Sequence, residues 1–597
     1  MKQNLNCLSY RSLVFSAVFG VALQLSFPAP AVSILSGPTF SKATNAPLAG
    51  TLRLTTDVPA RVSVFINDGG ESWEHDFHTY GTNLAVPLFG FKPARSNSVS
   101  VVVRDMAGNT GTNDIPVSFV TDPLPADFPV INVLTNDPAR MEPGYTLFRV
   151  QNNNTARVYV TIVNNDGEVV WYSSTIPSTL DVRQMADGNL FLPLSTNFVE
   201  VTLLGDIVKS WAAATNRTIN FHDGVPTDHG TILYLNDDGR VIANYPTSST
   251  NPNAPRQTAN VMFNRIVEVS GTNGTKVNDW ALIDMLDPMR IDYLTFTLRS
   301  TLGWDSEHAN AVIEDPRDNS IIVSMRHQDA VVKFTRDGQL KWILGPHENW
   351  GAAFQQYLLT PVGTPFAWNY AQHAPMITPQ GTLLIYDDGN FRASPFNSFI
   401  TDQNNYSRAV EYDIDENTME VRQVWEYGAN IPEQLYTSRV GNADWLPNTG
   451  NILVNFGNVD WDNHARPSFF SASATELRIQ EVTHDATPEV VFDLSVFDYN
   501  NTSTSFRGYF AYRSHRIPDL YGHAAQPVTD LTIDYDAGVP HLRFSGDSVR
   551  SYAIEASEDL TNWTEIGDPM LGGAETYEFT DTSGSVTSAR FYRVVTH

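Results

Sequence analysis

The chain has 597 residues, with 38 lysines and arginines against 66 aspartates and glutamates and a formal net charge of −28. That length exceeds one compact core unless the core is a closed repetitive architecture, and so acidic a surface repels phosphate backbones, which argues against nucleic acid as a partner. The single cysteine, Cys7, lies within the first 31 residues, so disulfides, thiol nucleophiles and thiolate metal sites are excluded from the rest.

Residues 1–31 carry Lys2 and Arg11, an apolar run from Leu13 to Phe27 and then Ala29-Pro30-Ala31. A charged start, an apolar middle and a small-x-small end predict a secretory signal peptide. Its removal takes Lys2 and Arg11 and no acid, so −28 becomes −30. No later stretch has about 18 uninterrupted apolar residues, and a periplasmic or secreted location is expected.

Alternating runs at 50–55, 60–66, 83–88, 98–104 and 115–120, with turn signals at Asp68-Gly69-Gly70 and Gly108-Asn109, predict an N-terminal β-sandwich over 32–125 that ends in Pro123-Leu124-Pro125. From 126 to 525 a unit repeats. Runs ending on Trp171, Trp211, Trp280, Trp342 and Trp425, with 490–493 as a sixth, alternate with aliphatic runs opened by a turn at Gly188, Gly230, Asn319, Gly381 and Gly450. About four strands repeated six times suits a six-bladed β-propeller. The fold class expected is therefore all-β: a propeller with an N-terminal sandwich and a small C-terminal β-sandwich module at 526–597.

The repeat aligns polar residues. Shortly before the aliphatic runs stand Gln184, His222-Asp223, His308-Ala309-Asn310, His373 and Asn442-Ala443-Asp444, and Arg326-His327-Gln328 follows the run 320–325. Quasi-equivalent positions in successive repeats lie at similar height and radius. Imidazole and guanidinium groups gathered in that way donate hydrogen bonds and carry positive charge, as an anion site requires. A single such histidine more often satisfies a buried hydrogen bond; the shared register is what favours a site.

The stretches H-A-N-A-V-I-E-D-P-R-D-N-S-I-I-V-S-M-R-H-Q at 308–328, K-W-I-L-G at 341–345, L-L-T-P-V ahead of A-Q-H-A at 371–374, and N-D-P-A-R-M-E-P-G-Y-T-L-F at 136–148 resemble the bacterial arylsulfate sulfotransferases. The resemblance covers 40–523. It implies the sandwich and six-bladed propeller, and transfer of a sulfuryl group from a small aromatic sulfate donor to a phenolic acceptor through a sulfated histidine, with no cofactor and no nucleotide donor. It assigns the nucleophile to His373, sulfate binding to His222 and His308, the arginine to Arg326 and the asparagine to Asn310. Family members carry a cysteine pair in the loop before the nucleophile; here 358–372 is shorter and has none.

Tyr80, Phe366, Trp368 and Tyr512 are candidates to line an aromatic slot, and each equally suits packing in a loop or blade. Two other functions fit the same scaffold: an aryl sulfatase with water as acceptor, and a non-catalytic propeller that holds a sulfated ligand. A three-histidine metal centre is less favoured, because no H-x-H or H-E-x-x-H spacing occurs and Arg326 would repel a cation. The sequence is compatible with a homodimer.

Overall fold

The computed structural model describes residues 32–596 apart from 177–179, 215–218, 221, 228, 299–302, 461–473, 523–528, 537–538, 546–551, 574–575 and 583–589. The segment 1–31, read above as a signal peptide, lies outside the described residues. The chain is all-β, and its short 3-10 turns include Arg326–Gln328.

The turn-and-run pattern of the central region folds into successive antiparallel meanders. Arg183–Gln184, Leu190–Pro193, Asn197–Val201 and Ile207–Ala212 form one sheet; Gly224–Pro226, Thr231–Tyr245, Gln257–Ser270 and Lys276–Ala281 form the core of the next. Ala309–Asp315, Ser320–Met325, Ala330–Phe334 and Leu340–Leu344 follow, then His373–Ile377, Leu383–Asp387, Arg408–Asp415 and Glu420–Tyr427. Two further sheets draw on both ends of the region. Gly441–Trp445, Ile452–Asp460, Thr475–Val482 and Val490–Val496 are joined by the early strand Ile131–Asn136. Tyr145–Asn152, Val158–Val163 and Val169–Ser173 are joined by the late strand Tyr509–Ile517. Shared ladders of this kind tie the two ends together through backbone hydrogen bonds, which leaves fewer exposed edges.

The recurring tryptophans have a physical explanation. In five consecutive sheets the last strand's indole N–H reaches the hairpin between the third and fourth strands of the following sheet. Trp171 donates to Leu203 O at 2.6 Å, Trp211 to Gly271 O, Trp280 to Arg336 O at 2.9 Å, Trp342 to Glu416 Oε1 at 3.0 Å and Trp425 to Asp485 O at 3.1 Å. Each indole thus buries a large ring between two sheets while its one polar atom remains satisfied. Aliphatic clusters fill the same gaps, for example Leu233, Leu235 and Ile266 against Val312, Ile321 and Val323. The repeat spacing is set by these indole anchors as much as by the turns.

The first strands of neighbouring sheets pack side by side, Gly224–Pro226 against Ala309–Asp315, the latter against His373–Ile377, that strand against Gly441–Trp445, and the last against Tyr509–Ile517. The aliphatic runs that open with a turn are therefore second strands. Another strand precedes each of them, and the polar residues picked out above sit in that strand or just before it.

At the N-terminus, Gly50–Asn67 and Ser72–Leu88 are two long strands where the sequence suggests separate short runs. The register between them slips at Thr55 and Ala60. Such an irregularity accommodates Pro59 inside a strand without breaking it. The C-terminal strands Thr529–Asp536, Val539–Ser545, Met570–Gly573 and Thr576–Thr580 continue this sheet through the pairing of Tyr80 with Met570, reinforced by Arg61 Nη1 on Asp568 Oδ2 at 3.0 Å. Leu542, Phe544, Tyr577 and Phe579 of these strands pack with Tyr552 and Ile554 of the strand Tyr552–Ser557 in one small core. Among the described residues no helix is long and apolar enough to cross a membrane.

Candidate active site

Three imidazoles are anchored in one fashion. His222 Nδ1 meets Asn220 Oδ1 at 2.5 Å, His308 Nδ1 meets Asp305 Oδ2 at 2.6 Å, and His373 Nδ1 meets Asp388 Oδ2 at 2.6 Å. The Asn220 amide is oriented by its nitrogen, which donates to Asp237 Oδ1 at 2.7 Å, so its oxygen faces the ring. An acceptor-only oxygen at Nδ1 requires a proton there and makes Nε2 the lone-pair nitrogen of each neutral ring.

Contacts join these rings into one cluster. The His222 and His308 centroids are 4.7 Å apart, and His308 stacks on His327 at 4.4 Å. Tyr512 lies 6.1 Å from the His222 ring and 6.0 Å, edge-on, from that of His373, and its hydroxyl donates to Asn310 O at 2.9 Å. Arg326, 1% exposed, donates through Nη1 to His327 Nε2 at 2.8 Å and through Nη2 to Ser438 O at 2.8 Å. Both of those acceptors are neutral.

His327, which the sequence did not single out as a site residue, is fully buried. Its Nδ1 donates to Asp305 O at 2.8 Å while Nε2 accepts from Arg326, so both nitrogens are committed. Burial, with His308 and Arg326 nearby, pushes its pKa well below the usual imidazole range. Ligand atoms of Asp305, His308 and His327 lie within 4.8 Å of one another. A metal there would need a nitrogen of His327 that already has a partner, and would sit beside a guanidinium; the geometry suits a neutral His327 that steers Arg326.

The loop carrying His373 is clamped from within. Gln372 donates through Nε2 to Ala330 O at 2.9 Å, and its Oε1 accepts from Asn369 Nδ2 at 2.7 Å. The Gln372 carbonyl accepts from Asn310 Nδ2 at 2.8 Å and Ser324 Oγ at 3.0 Å. Ala371 donates its N–H to Asp329 Oδ1 at 2.8 Å, and Tyr370 donates to Asp387 Oδ1 at 2.9 Å. This network holds Ala371 at φ 52° and Ala374 at φ 47°, on either side of Gln372–His373, and His308 itself has φ 47°. Left-handed backbone at residues bearing a Cβ costs about 1–2 kcal/mol each. It persists where surrounding bonds over-determine it, a frequent feature of functional sites.

The residues immediately beyond the cluster face a different space. Asp223, Ala311, Ala374 and Arg513 line a cavity of 510 Å³ whose lining does not include His222, His308, His373 or Tyr512. There Arg513 Nη1 bonds Asp181 Oδ2 at 2.9 Å and Asp223 Oδ1 at 3.0 Å, and Arg183 Nη2 bonds Asp223 Oδ1 at 3.0 Å. These guanidinium groups are balanced by carboxylates at hydrogen-bond distance.

The structure brings His222, His308, Asn310, Arg326, His373 and Tyr512 together. It does not bring Tyr80, Phe366 or Trp368 into contact with those rings. Tyr80 sits at the junction with the C-terminal strands, where its N–H meets Pro569 O at 3.4 Å. Phe366 packs edge-on against Trp368 at 4.8 Å and near Tyr412 at 5.9 Å, and Trp368 also faces His347; both belong to the apolar cluster around Val410 and Tyr412. A different aromatic group occupies segments adjoining the site. Tyr293 stacks on Phe391 at 4.8 Å, and Phe399 meets both at 5.3 Å. Tyr293 follows Asp292, which feels the field of Arg326, and Phe391 comes three residues after Asp388.

Glu307, next to His308, is a buried acid whose Oε2 accepts the Asn264 N–H at 2.6 Å. Burial pushes its pKa up to about 8 from 4.5. A raised carboxyl contributes stability that is full below pH 4.5 and lost as pH climbs to about 8, since only the unfolded chain releases the proton in between. Glu307→Gln keeps an acceptor for Asn264. The melting temperature of that variant relative to wild type is expected to rise steadily across this window; a pH-independent difference would mean that Glu307 ionises normally in the fold.

The all-β scaffold thus gathers three imidazoles with anchored Nδ1 atoms, and a buried guanidinium, around Tyr512 and His327. The chain belongs to the arylsulfotransferase family: residues 130–507 match the family description Arylsulfotransferase (ASST), and it is an enzyme that transfers sulfate groups. It is 23% identical over 588 residues to the arylsulfate sulfotransferase AssT of Escherichia coli O6:H1, spanning 79% of this chain and 95% of that one. It is also 23% identical to AssT of Lelliottia amnigena, over 51% of this chain and 56% of that one. Among solved structures, cobalt-substituted apocarotenoid oxygenase of Synechocystis overlaps 65% of this chain and 96% of its own at 9% identity, with a TM-score of 0.28, too low to bear on fold or chemistry.

Proposed function

We propose that the protein moves a sulfuryl group from an aryl sulfate to a phenol by a ping-pong mechanism through a sulfohistidine at His373. In this reading the six sheets are the blades of a propeller over 126–525, set between a sandwich at 32–125 and an accessory module at 526–597, and residues 1–31 direct export to the periplasm or beyond. The observation that carries it is His373, 2% exposed, with Nδ1 held by Asp388 and no hydrogen bond from Nε2 among the described residues. A neutral imidazole so fixed is a competent nucleophile, and a covalent intermediate divides one hard transfer into two easier ones.

The donor's sulfate oxygens lie against the guanidinium of Arg326, the amide of Asn310 and the imidazolium form of His222, whose Nε2 donates only once it too carries a proton. By analogy with phosphoryl transfer, the transition state is loose and its charge spreads over the non-bridging oxygens, where fixed donors stabilise it without reorganising. His308 serves as general acid toward the leaving phenolate and as base toward the incoming phenol, because the Asp305 carboxylate on its Nδ1 at 2.6 Å stabilises its imidazolium, whereas the oxygen on Nδ1 of His222 is that of the Asn220 amide. Tyr293, Phe391 and Phe399 supply the aryl wall in place of Phe366 and Trp368. Phe391→Ala should raise KM for aryl sulfate on the order of 10-fold with a smaller change in kcat, about what loss of an aromatic contact of 0.5–1.5 kcal/mol produces; Phe366→Ala should lower the melting temperature and leave KM unchanged. The reverse result would return the aryl slot to Phe366.

The decisive experiment is mass spectrometry of the peptide containing His373 after incubation with a chromogenic aryl sulfate and no phenol. A sulfo adduct on His373 is expected, discharged on adding phenol; an unmodified peptide during active turnover would falsify the covalent route. Turnover independent of added phenol would instead make the enzyme a sulfatase.

A further inference from the structure

We infer that Asp388 takes the Nδ1 proton of His373 while the sulfuryl group resides on Nε2, and by holding that proton governs how long the sulfohistidine survives. This rests on the transfer mechanism proposed above and adds a residue and a proton to it.

Two adjacent aspartates at the end of the strand Leu383–Asp387 have opposite settings. Asp387 accepts from Arg408 Nε at 2.8 Å and Arg392 Nη1 at 2.9 Å, and those guanidinium groups hold it ionised, with its pKa lowered despite complete burial. Asp388 is equally buried, has Oδ2 on His373 at 2.6 Å, and leaves Oδ1 with no hydrogen-bond partner among the described residues. An orphaned oxygen is costly on a buried carboxylate and cheaper on a neutral acid, whose charge is gone. The ionised form is therefore maintained chiefly by the Nδ1–H bond to His373.

The groups around Asp388 pull both ways. His373 and Arg326 favour its carboxylate; burial and Asp387 oppose it. Tyr386, Tyr436 and Tyr512 also feel its charge, and their phenols stay neutral because burial pushes them above the ordinary tyrosine range. The balance leaves Asp388 easier to protonate than an ordinary aspartate, which makes it an acceptor matched to a ring about to become acidic.

The step balances as follows. The Nε2 lone pair forms a bond to sulfur, the bond from sulfur to the aryl oxygen breaks with its electron pair on oxygen, and the phenolate takes a proton from His308. Sulfonation of Nε2 makes Nδ1–H acidic, and that proton moves to Asp388 Oδ2. The product is a neutral N-sulfoimidazole beside a neutral carboxylic acid, with the one negative charge on the sulfonate. A neutral imidazole bearing sulfur would leave as an anion and is slow to do so. When phenol arrives and His308 removes its proton, the phenolate oxygen bonds to sulfur, the electron pair of the Nε2–sulfur bond returns to Nε2, and Asp388 gives its proton back to Nδ1. Water, with no aryl contact to hold it, lacks the alignment that drives the second half. Asp388 is thus a positioning residue, which fixes the tautomer at rest and stores the proton in the intermediate.

Asp388→Asn tests this, since its amide oxygen can accept Nδ1–H but cannot take the proton. Wild type and variant are loaded with 4-nitrophenyl sulfate, stripped of donor without acceptor, and the His373 adduct is followed by quenched mass spectrometry. The variant's adduct is expected to decay at least 10-fold faster, with a matching rise in turnover without phenol relative to turnover with it. Infrared difference spectra of the wild type provide a measurement that needs no variant: loading should produce a protonated carboxyl band, lost in H₂O-to-D₂O frequency comparison only by its isotope shift. Equal adduct lifetimes, or loading with no new carboxyl band, would overturn the role of Asp388 and leave the sulfohistidine intact. Absence of any adduct in wild type would overturn the mechanism beneath it.

Discussion

Replacing His373 by alanine is expected to lower kcat by on the order of 10⁴- to 10⁶-fold, the scale on which enzymes lose rate when the nucleophile is removed and binding groups remain. No other ring in the cluster can substitute. His308 and His222 have Nδ1 tied to different anchors, and both nitrogens of His327 are engaged. Alanine also strands the Asp388 carboxyl in the interior, at a cost of about 1–3 kcal/mol, so lost activity alone would not separate chemistry from folding. His373→Asn does so: its side-chain amide can donate to Asp388 and retain the buried hydrogen bond, yet offers no nucleophilic nitrogen. Both variants should be inactive, with the asparagine variant melting closer to wild type. Substantial residual transfer by the asparagine variant would show that the acceptor attacks the donor directly.

Arg326→Ala should reduce kcat by about 10²- to 10³-fold, the usual cost of deleting one fixed donor aimed at developing charge. Its burial keeps the group's field from being screened by solvent, and its two bonds to His327 and Ser438 fix its direction before substrate arrives. Lysine at this position preserves charge but has neither the fork nor the reach to hold both partners, so Arg326→Lys should recover only part of the rate. The loss should fall mainly on kcat, because donors matter most where charge spreads in the transition state. A variant in which KM rises and kcat is preserved would recast Arg326 as a ground-state sulfate anchor.

How much of this was legible in the chain depends on the kind of residue. His222, His308 and His373 could be found because each occupies the same place in a repeated strand pattern, and Arg326 because it follows a strand of that pattern. Their oxygen anchors were harder to find. Asp305 stands three residues before His308, a local relation, but Asp388 sits in Y-D-D-G, which reads as strand end and turn, and nothing local distinguishes it from Asp387. Tyr512 reaches the cluster only because Tyr509–Ile517 pairs with Tyr145–Asn152. Tyr80, Phe366 and Trp368 were reasonable aromatic candidates, and they went to packing because pairing with Met570 and the ring of Tyr412 claimed them.

By itself the sequence determined what depends on short-range order: strand after strand punctuated by turns, a tryptophan closing five of the repeats, and imidazoles recurring in register. Tertiary structure alone decided which oxygen holds which ring, that Arg326 reaches His327 and Ser438 while Arg513 reaches Asp181 and Asp223, and that one of two neighbouring aspartates is left with an orphaned oxygen. The physical reason is the range of the forces. Backbone periodicity and turn chemistry act between residues a few positions apart, whereas burial and hydrogen-bond partnership are set by strands distant in sequence that meet only when the sheets pack together.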